Sequence, residues 1–195
     1  TDQLREAEAR LNDIDNLSGI LQTSVYYRSV PHPSIRGGYP LMDVTFIGSM
    51  GWAVGPMGTI LRTEDSGKTW QKILLNSDAD LYRVRFVDEN EGWIAGGRIR
   101  IADTNASMRH DKRGGYGYIF HTTDGGKNWD CQYGERGRHL FALHFTDKNT
   151  GYAAGERGFL IKTTDGGRNW YELPTTGTIN WLYGMIFTDS QNGFA

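Results

Sequence analysis

The sequence predicts an all-β protein: a β-propeller, with about four blades' worth of repeats in these 195 residues, preceded by a short N-terminal helix. Two recurrences and one compositional bias predict it. The first recurrence is an octapeptide found at Thr63-Glu64-Asp65-Ser66-Gly67-Lys68-Thr69-Trp70, at Thr122-Thr123-Asp124-Gly125-Gly126-Lys127-Asn128-Trp129 and at Thr163-Thr164-Asp165-Gly166-Gly167-Arg168-Asn169-Trp170. The second is a Phe followed five or six residues later by Gly and an aromatic, then small residues: Phe46 with Gly51-Trp52, Phe86 with Gly92-Trp93, Phe145 with Gly151-Tyr152 and Phe187 with Gly193-Phe194. The Phe residues step by 40, 59 and 42, a period near forty with an insertion of about eighteen in the second copy. Strand-like content at that period indicates four-stranded blades. The bias is glycine, 26 residues against five Pro, which suits many tight turns between short strands.

Taken in order, residues 1–22 read as an amphipathic helix, because Leu4, Ala7, Leu11, Ile14 and Leu21 fall near the period of about 3.6 among Asp, Glu and Arg. Such a helix is either a short coiled-coil or docking element, or one that packs on the propeller's flank or belongs to a preceding domain. Residues 23–40, with Pro31, Pro33 and Pro40, form a linker with a strand candidate at Ser24 to Ser29. The repeats then occupy 41–80, 81–139, 140–181 and an incomplete 182–195. In the second copy Leu81 to Phe86 is a β-rich run, Asp88 to Glu91 a turn, Trp93 to Ala95 a second strand and Tyr118 to Thr122 a third. The octapeptide is the hairpin leading to a fourth strand. Its Asp accepts hydrogen bonds from turn amides, its Gly tolerates positive φ, the Thr or Asn before the Trp bonds the same turn, and the Trp buries a large ring whose N–H needs a partner.

Composition narrows the function. No apolar stretch approaches the ~18 residues of a membrane span. A formal charge of −2 argues against a nucleic-acid binder. One cysteine, Cys131, supplies no disulfide framework, and the five His residues lack metal-ligand spacing, so neither a metal nor another cofactor is expected. Charge is uneven: Arg98 to Arg138 holds eight Lys/Arg against five Asp/Glu, leaving 13 against 18 elsewhere. The sequence lacks an initial Met and stops inside its fourth motif, which leads to the expectation of a longer molecule with more blades.

The octapeptides resemble the Asp-box or BNR repeat, Ser/Thr-x-Asp-x-Gly-x-Thr/Asn-Trp, which occurs in sialidases, xyloglucan-degrading glycosidases, sortilin-type receptors and photosystem II stability/assembly factors. The flanking Phe-Val-Asp-x-x-x-Gly-Trp with Ala-Gly, and Gly-x-Ile/Leu-x-x-Thr before the box, is similar to the assembly factors over residues 41–195. The first copy departs by lacking the Asp found at Asp88, Asp147 and Asp189. The resemblance implies a non-enzymatic, extracytoplasmic propeller that binds partner polypeptides, partly through an arginine-rich surface. A sialidase or glycosidase is the alternative, although no Ile-Pro of the sialidase Arg-Ile-Pro motif is present. The single Cys disfavours a sortilin-type receptor.

Two groups of side chains are candidates for binding. Aligning the first strands leaves positions where repeats disagree: Asp43, Arg83, Ala142 and Gly184 at one, Thr45, Arg85, His144 and Ile186 at the other. A blade's innermost strand lies along the channel, so Arg83 and Arg85, with His144, are expected to meet a partner. The insertion contributes Arg98, Arg100, Arg109 and Arg113, whose planar forks suit an acidic segment or a polypeptide's terminal carboxylate. The box residues Asp65, Gly67, Trp70, Asp124, Gly126, Trp129, Asp165, Gly167 and Trp170 are read as architecture, since a glycosidase needs carboxylates within about 5–10 Å and symmetry holds equivalent turns apart.

Overall fold

Alternating apolar residues, separated by Gly- and Asp-bearing turns, fold in the computed structural model into antiparallel sheets of consecutive strands. The structure describes residues 40–98, 116–136, 138–174, 179–187 and 192–195. The helix expected at 1–22, the strand candidate at 24–29 and the inserted residues 99–115 lie outside the described residues, which belong almost wholly to a unit running Leu41–Ala195.

The first sheet pairs β1 (Asp43–Ile47), β2 (Met50–Gly55), β3 (Thr59–Thr63) and β4 (Gln71–Leu74) in sequence order. The second pairs β5 (Asp80–Phe86), β6 (Gly92–Arg98), β7 (Tyr116–Thr122) and β8 (Asp130–Arg136). The third pairs β9 (Leu140–Phe145), β10 (Gly151–Gly155), β11 (Leu160–Thr163) and β12 (Tyr171–Glu172), and β13 (Ile186–Phe187) with β14 (Gly193–Phe194) begins a fourth. Each sheet is a propeller blade, with β1 beside β5 and β5 beside β9. The insertion falls between β6 and β7.

Neighbouring blades share a core. One cluster joins Trp52, Val54, Ile60, Ile73, Leu81, Val84, Ile94 and Phe120; the next joins Trp93, Ala95, Ile119, Leu140, Leu143, Phe145, Ala153 and Ile161. Along β6, Trp93 and Ala95 face one cluster and Ile94 the other, as the period of two requires. The second blade is covered on both faces, which is why β6 is buried along nearly its whole length.

The Phe and Gly of the second recurrence face each other in register: Phe46 opposite Gly51, Phe86 opposite Gly92, Phe145 opposite Gly151 and Phe187 opposite Gly193. The Phe ring lies across the glycine, and a Cβ on Gly92 would sit 2.5 Å from the Phe86 ring. The aromatic after each Gly then reaches the next blade: Trp52 stacks on Phe86 with centroids 3.6 Å apart, Trp93 on Phe145 at 3.6 Å and Tyr152 on Phe187 at 4.2 Å. The repeated Phe and Gly-aromatic pair is thus the joint between blades, and each buried ring contributes about 1.5–3 kcal/mol.

Candidate partner-binding face

The Asp-boxes form one turn three times. Thr122 Oγ1 donates to Asp124 Oδ1 at 2.8 Å and accepts from Gly126 N at 3.0 Å; Asp124 also accepts from Asn128 N at 3.0 Å and Asn128 Nδ2 at 2.7 Å. Thr63, Asp65 and Thr69 repeat the pattern, as do Thr163, Asp165 and Asn169. The glycines Gly67, Gly126 and Gly167 carry positive φ. The indoles of Trp70 and Trp129 donate to Gly67 O and Gly126 O, but Trp170 Nε1 is buried with no partner among the described residues. The side-chain hydrogen bond from Thr69 is the main cause holding Asp65 at about 2, and that from Asn169 does the same for Asp165. Burial alone would raise Asp124, yet bonds from Asn128, Thr122 and Lys127 bring it to about 2. A glycosidase's general acid needs a raised pKa, and these carboxylates are held in the opposite direction.

The innermost strands give the arginine candidates unequal surroundings. Arg85 Nη1 donates to Asp43 Oδ2 of the preceding blade at 2.6 Å, and Val84 N donates to the same oxygen at 3.0 Å. Asp43 and Arg85, read as variable positions, therefore tie two blades together. Arg83 bonds carbonyls, Tyr82 O at 3.0 Å and Tyr183 O at 2.8 Å, and no carboxylate among the described residues. His144 stacks on Phe187 at 5.0 Å; burial, and Arg85 after it, lower its pKa. Arg98 pairs with Asp78. Arg100, Arg109 and Arg113 lie outside the described residues.

Sequence reasoning missed an aromatic cluster beside Arg83. A β-bulge in β5 inserts Tyr82, and the matching bulge in β9 inserts Phe141. Their rings lie 5.1 Å apart, Tyr183 lies 5.1 Å from Phe141, and Trp181 stacks on Phe141 at 5.6 Å. The signal was present, since Tyr82, Phe141 and Tyr183 each stand four residues before the recurring Phe. No group of three or more His, Cys, Asp and Glu among the described residues could hold a metal. Burial raises the Cys131 thiol pKa, opposite to the shift that makes a cysteine reactive.

A family model described as photosynthesis system II assembly factor YCF48 matches residues 21–103. The photosystem II stability/assembly factor HCF136 of Oryza sativa subsp. japonica is 31% identical over 90 residues, covering 44% of this chain and 22% of that protein. A solved structure titled "YCF48 bound to D1 peptide" matches with a TM-score of 0.58 and 25% identity, over 75% of this chain and 43% of that one. Over these stretches the chain is similar to photosystem II assembly factors. It spans less than half of either relative. The curated relatives it matches are described as photosystem II stability or assembly factors. An ancestral GH74 enzyme also matches, with a TM-score of 0.54 at 17% identity over 70% of this chain and 18% of that one, a likeness of fold alone.

Proposed function

We propose that this chain is a non-enzymatic, extracytoplasmic propeller module of photosystem II assembly that binds a partner polypeptide through its arginine-bearing face. The observation that carries the reading is the likeness to a YCF48 structure bound to a D1 peptide. Arg83 is the central contact, because its guanidinium meets only carbonyls among the described residues and its charge is open to a carboxylate. Arg98, Arg100, Arg109 and Arg113 of the inserted segment are further candidate contacts, of which Arg98 lies among the described residues and pairs with Asp78, and Arg85 and His144 shape the floor of the face. The segment bound is acidic or ends in a free carboxylate, and its apolar side chains rest on Tyr82, Phe141, Trp181 and Tyr183.

The test is fluorescence anisotropy with a labelled D1 peptide and the 195-residue protein. Arg83→Ala is expected to weaken binding roughly tenfold, the scale of one charge-assisted hydrogen bond, while thermal unfolding stays nearly unchanged. Unchanged affinity in that variant refutes the assignment of the face.

A further inference from the structure

The joints between blades differ at one place, where the second blade lacks an occupant that the first supplies for itself. In the first blade Arg62 lies opposite Trp52 on the adjacent strand, buried. Its Nε donates to Gly125 O of the second blade's Asp-box at 2.6 Å, beside Trp52 Nε1, which donates to the same oxygen at 2.8 Å. In the second blade the residue opposite Trp93 is His121, too short to repeat this reach. Gly166 O of the third blade's box therefore accepts only Trp93 Nε1 among the described side chains, at 3.2 Å. A cavity of about 160 Å³ remains, lined by His121, Gln132, Asn149, Asp165, Gly166 and Arg168.

A second feature equips this cavity. The register of β8 slips between Ile119 and Phe120 of its partner strand, leaving Gln132 as an extra, unpaired residue. Bulges of this kind re-aim a side chain and are enriched next to functional sites. Gln132 Nε2 lies 3.0 Å from His121 Nδ1, while Gln132 Oε1 is buried with no hydrogen-bond partner among the described residues. An unmade hydrogen bond at a buried oxygen is costly, so a ligand donor there is favoured. His121 is held in place by stacking on Trp93 at 4.8 Å and by Glu91 Oε1, 3.3 Å from its Nε2. The wall charges of Asp165 and Arg168 offset each other, and Arg168 Nη1 is drawn to Asp165 O at 3.3 Å.

We propose that the cavity between the second and third blades is a binding site for a guanidinium group, the arginine side chain of a partner polypeptide, which takes the place that Arg62 fills in the joint before it. The planar fork donates to Gln132 Oε1 and to the second lone pair of Gly166 O. Both blades that build the site are complete among the described strands, and the site is separate from the Arg83 face.

The probe is N-acetyl-arginine amide, titrated into the 195-residue protein and followed by the NMR signal of the Trp93 indole N–H. Saturable shifts at Trp93 and the Gln132 side-chain amide are expected, and N-acetyl-glutamine amide should bind roughly tenfold more weakly. His121→Arg installs the first blade's own occupant, so it should abolish binding and raise the melting temperature by a few degrees. Gln132→Ala removes the acceptor without filling the cavity, and should weaken binding roughly tenfold. Absence of shifts at Trp93, equal binding of the glutamine analogue, or full binding by either variant overturns the proposal.

Discussion

Thr122 shows how one hydroxyl organises an Asp-box, because its oxygen serves both as donor to Asp124 and as acceptor for Gly126 N while being only 2% exposed. Thr122→Val keeps the shape and removes both bonds, and an expected loss of about 1–3 kcal/mol is measurable by urea unfolding. The box carboxylates also set an acid limit. Their folded pKa of about 2 lies below the ordinary value of 3.8, so their stabilisation is complete above that ordinary value and is lost as pH falls towards 2. Histidine adds an earlier step with the same sign: burial lowers the pKa of His121 and His144, so stability declines as pH falls through and below 6.5. Melting temperature recorded from about pH 8 to about pH 2 should fall in two stages, and His121→Gln should diminish the first. The sequence disclosed the box residues and their roles, since turn chemistry is local. It concealed that Trp170 would lack a partner among the described residues where Trp70 and Trp129 find one.

At the scale of elements, a blade is held to its neighbour by an aromatic from its second strand. Trp93 is fully buried between Phe145 and His121 and also donates to Gly166 O. Trp93→Ala should cost about 3–5 kcal/mol, whereas Trp93→Phe should cost far less by keeping the stack. Gly92→Ala should destabilise by about 1–3 kcal/mol, because its Cβ meets the Phe86 ring. Calorimetry of these variants checks the claim that Phe and Gly recur as a joint. The recurrence itself was visible in the sequence, but its partner across the blade boundary was not. Bulges were equally hidden: nothing in the local run Asp130-Cys131-Gln132-Tyr133 marks Gln132 as the extra residue.

At the scale of the molecule, the arginines divide by what the neighbouring blade offers. Arg85 is neutralised by Asp43, and Arg85→Ala should cost about 1–2 kcal/mol in stability with a smaller effect on peptide affinity. Arg83 should show the reverse, and thermal unfolding beside anisotropy separates the two. The pair was legible only as disagreement between repeats, because residues 43 and 85 meet through the packing of one blade on the next.

The repeat, its four-strand order, the Asp-box turns and the resemblance to photosystem II assembly factors were legible in the sequence, because all of these rest on residues close together in the chain and copied at a period near forty. Folding settled which arginine is spent on Asp43 and which meets no described carboxylate, where the rings beside Arg83 gather, and why the second joint holds a cavity. Those outcomes depend on contacts between blades, and residues 42 or 100 positions apart carry no mark in the sequence that they will meet.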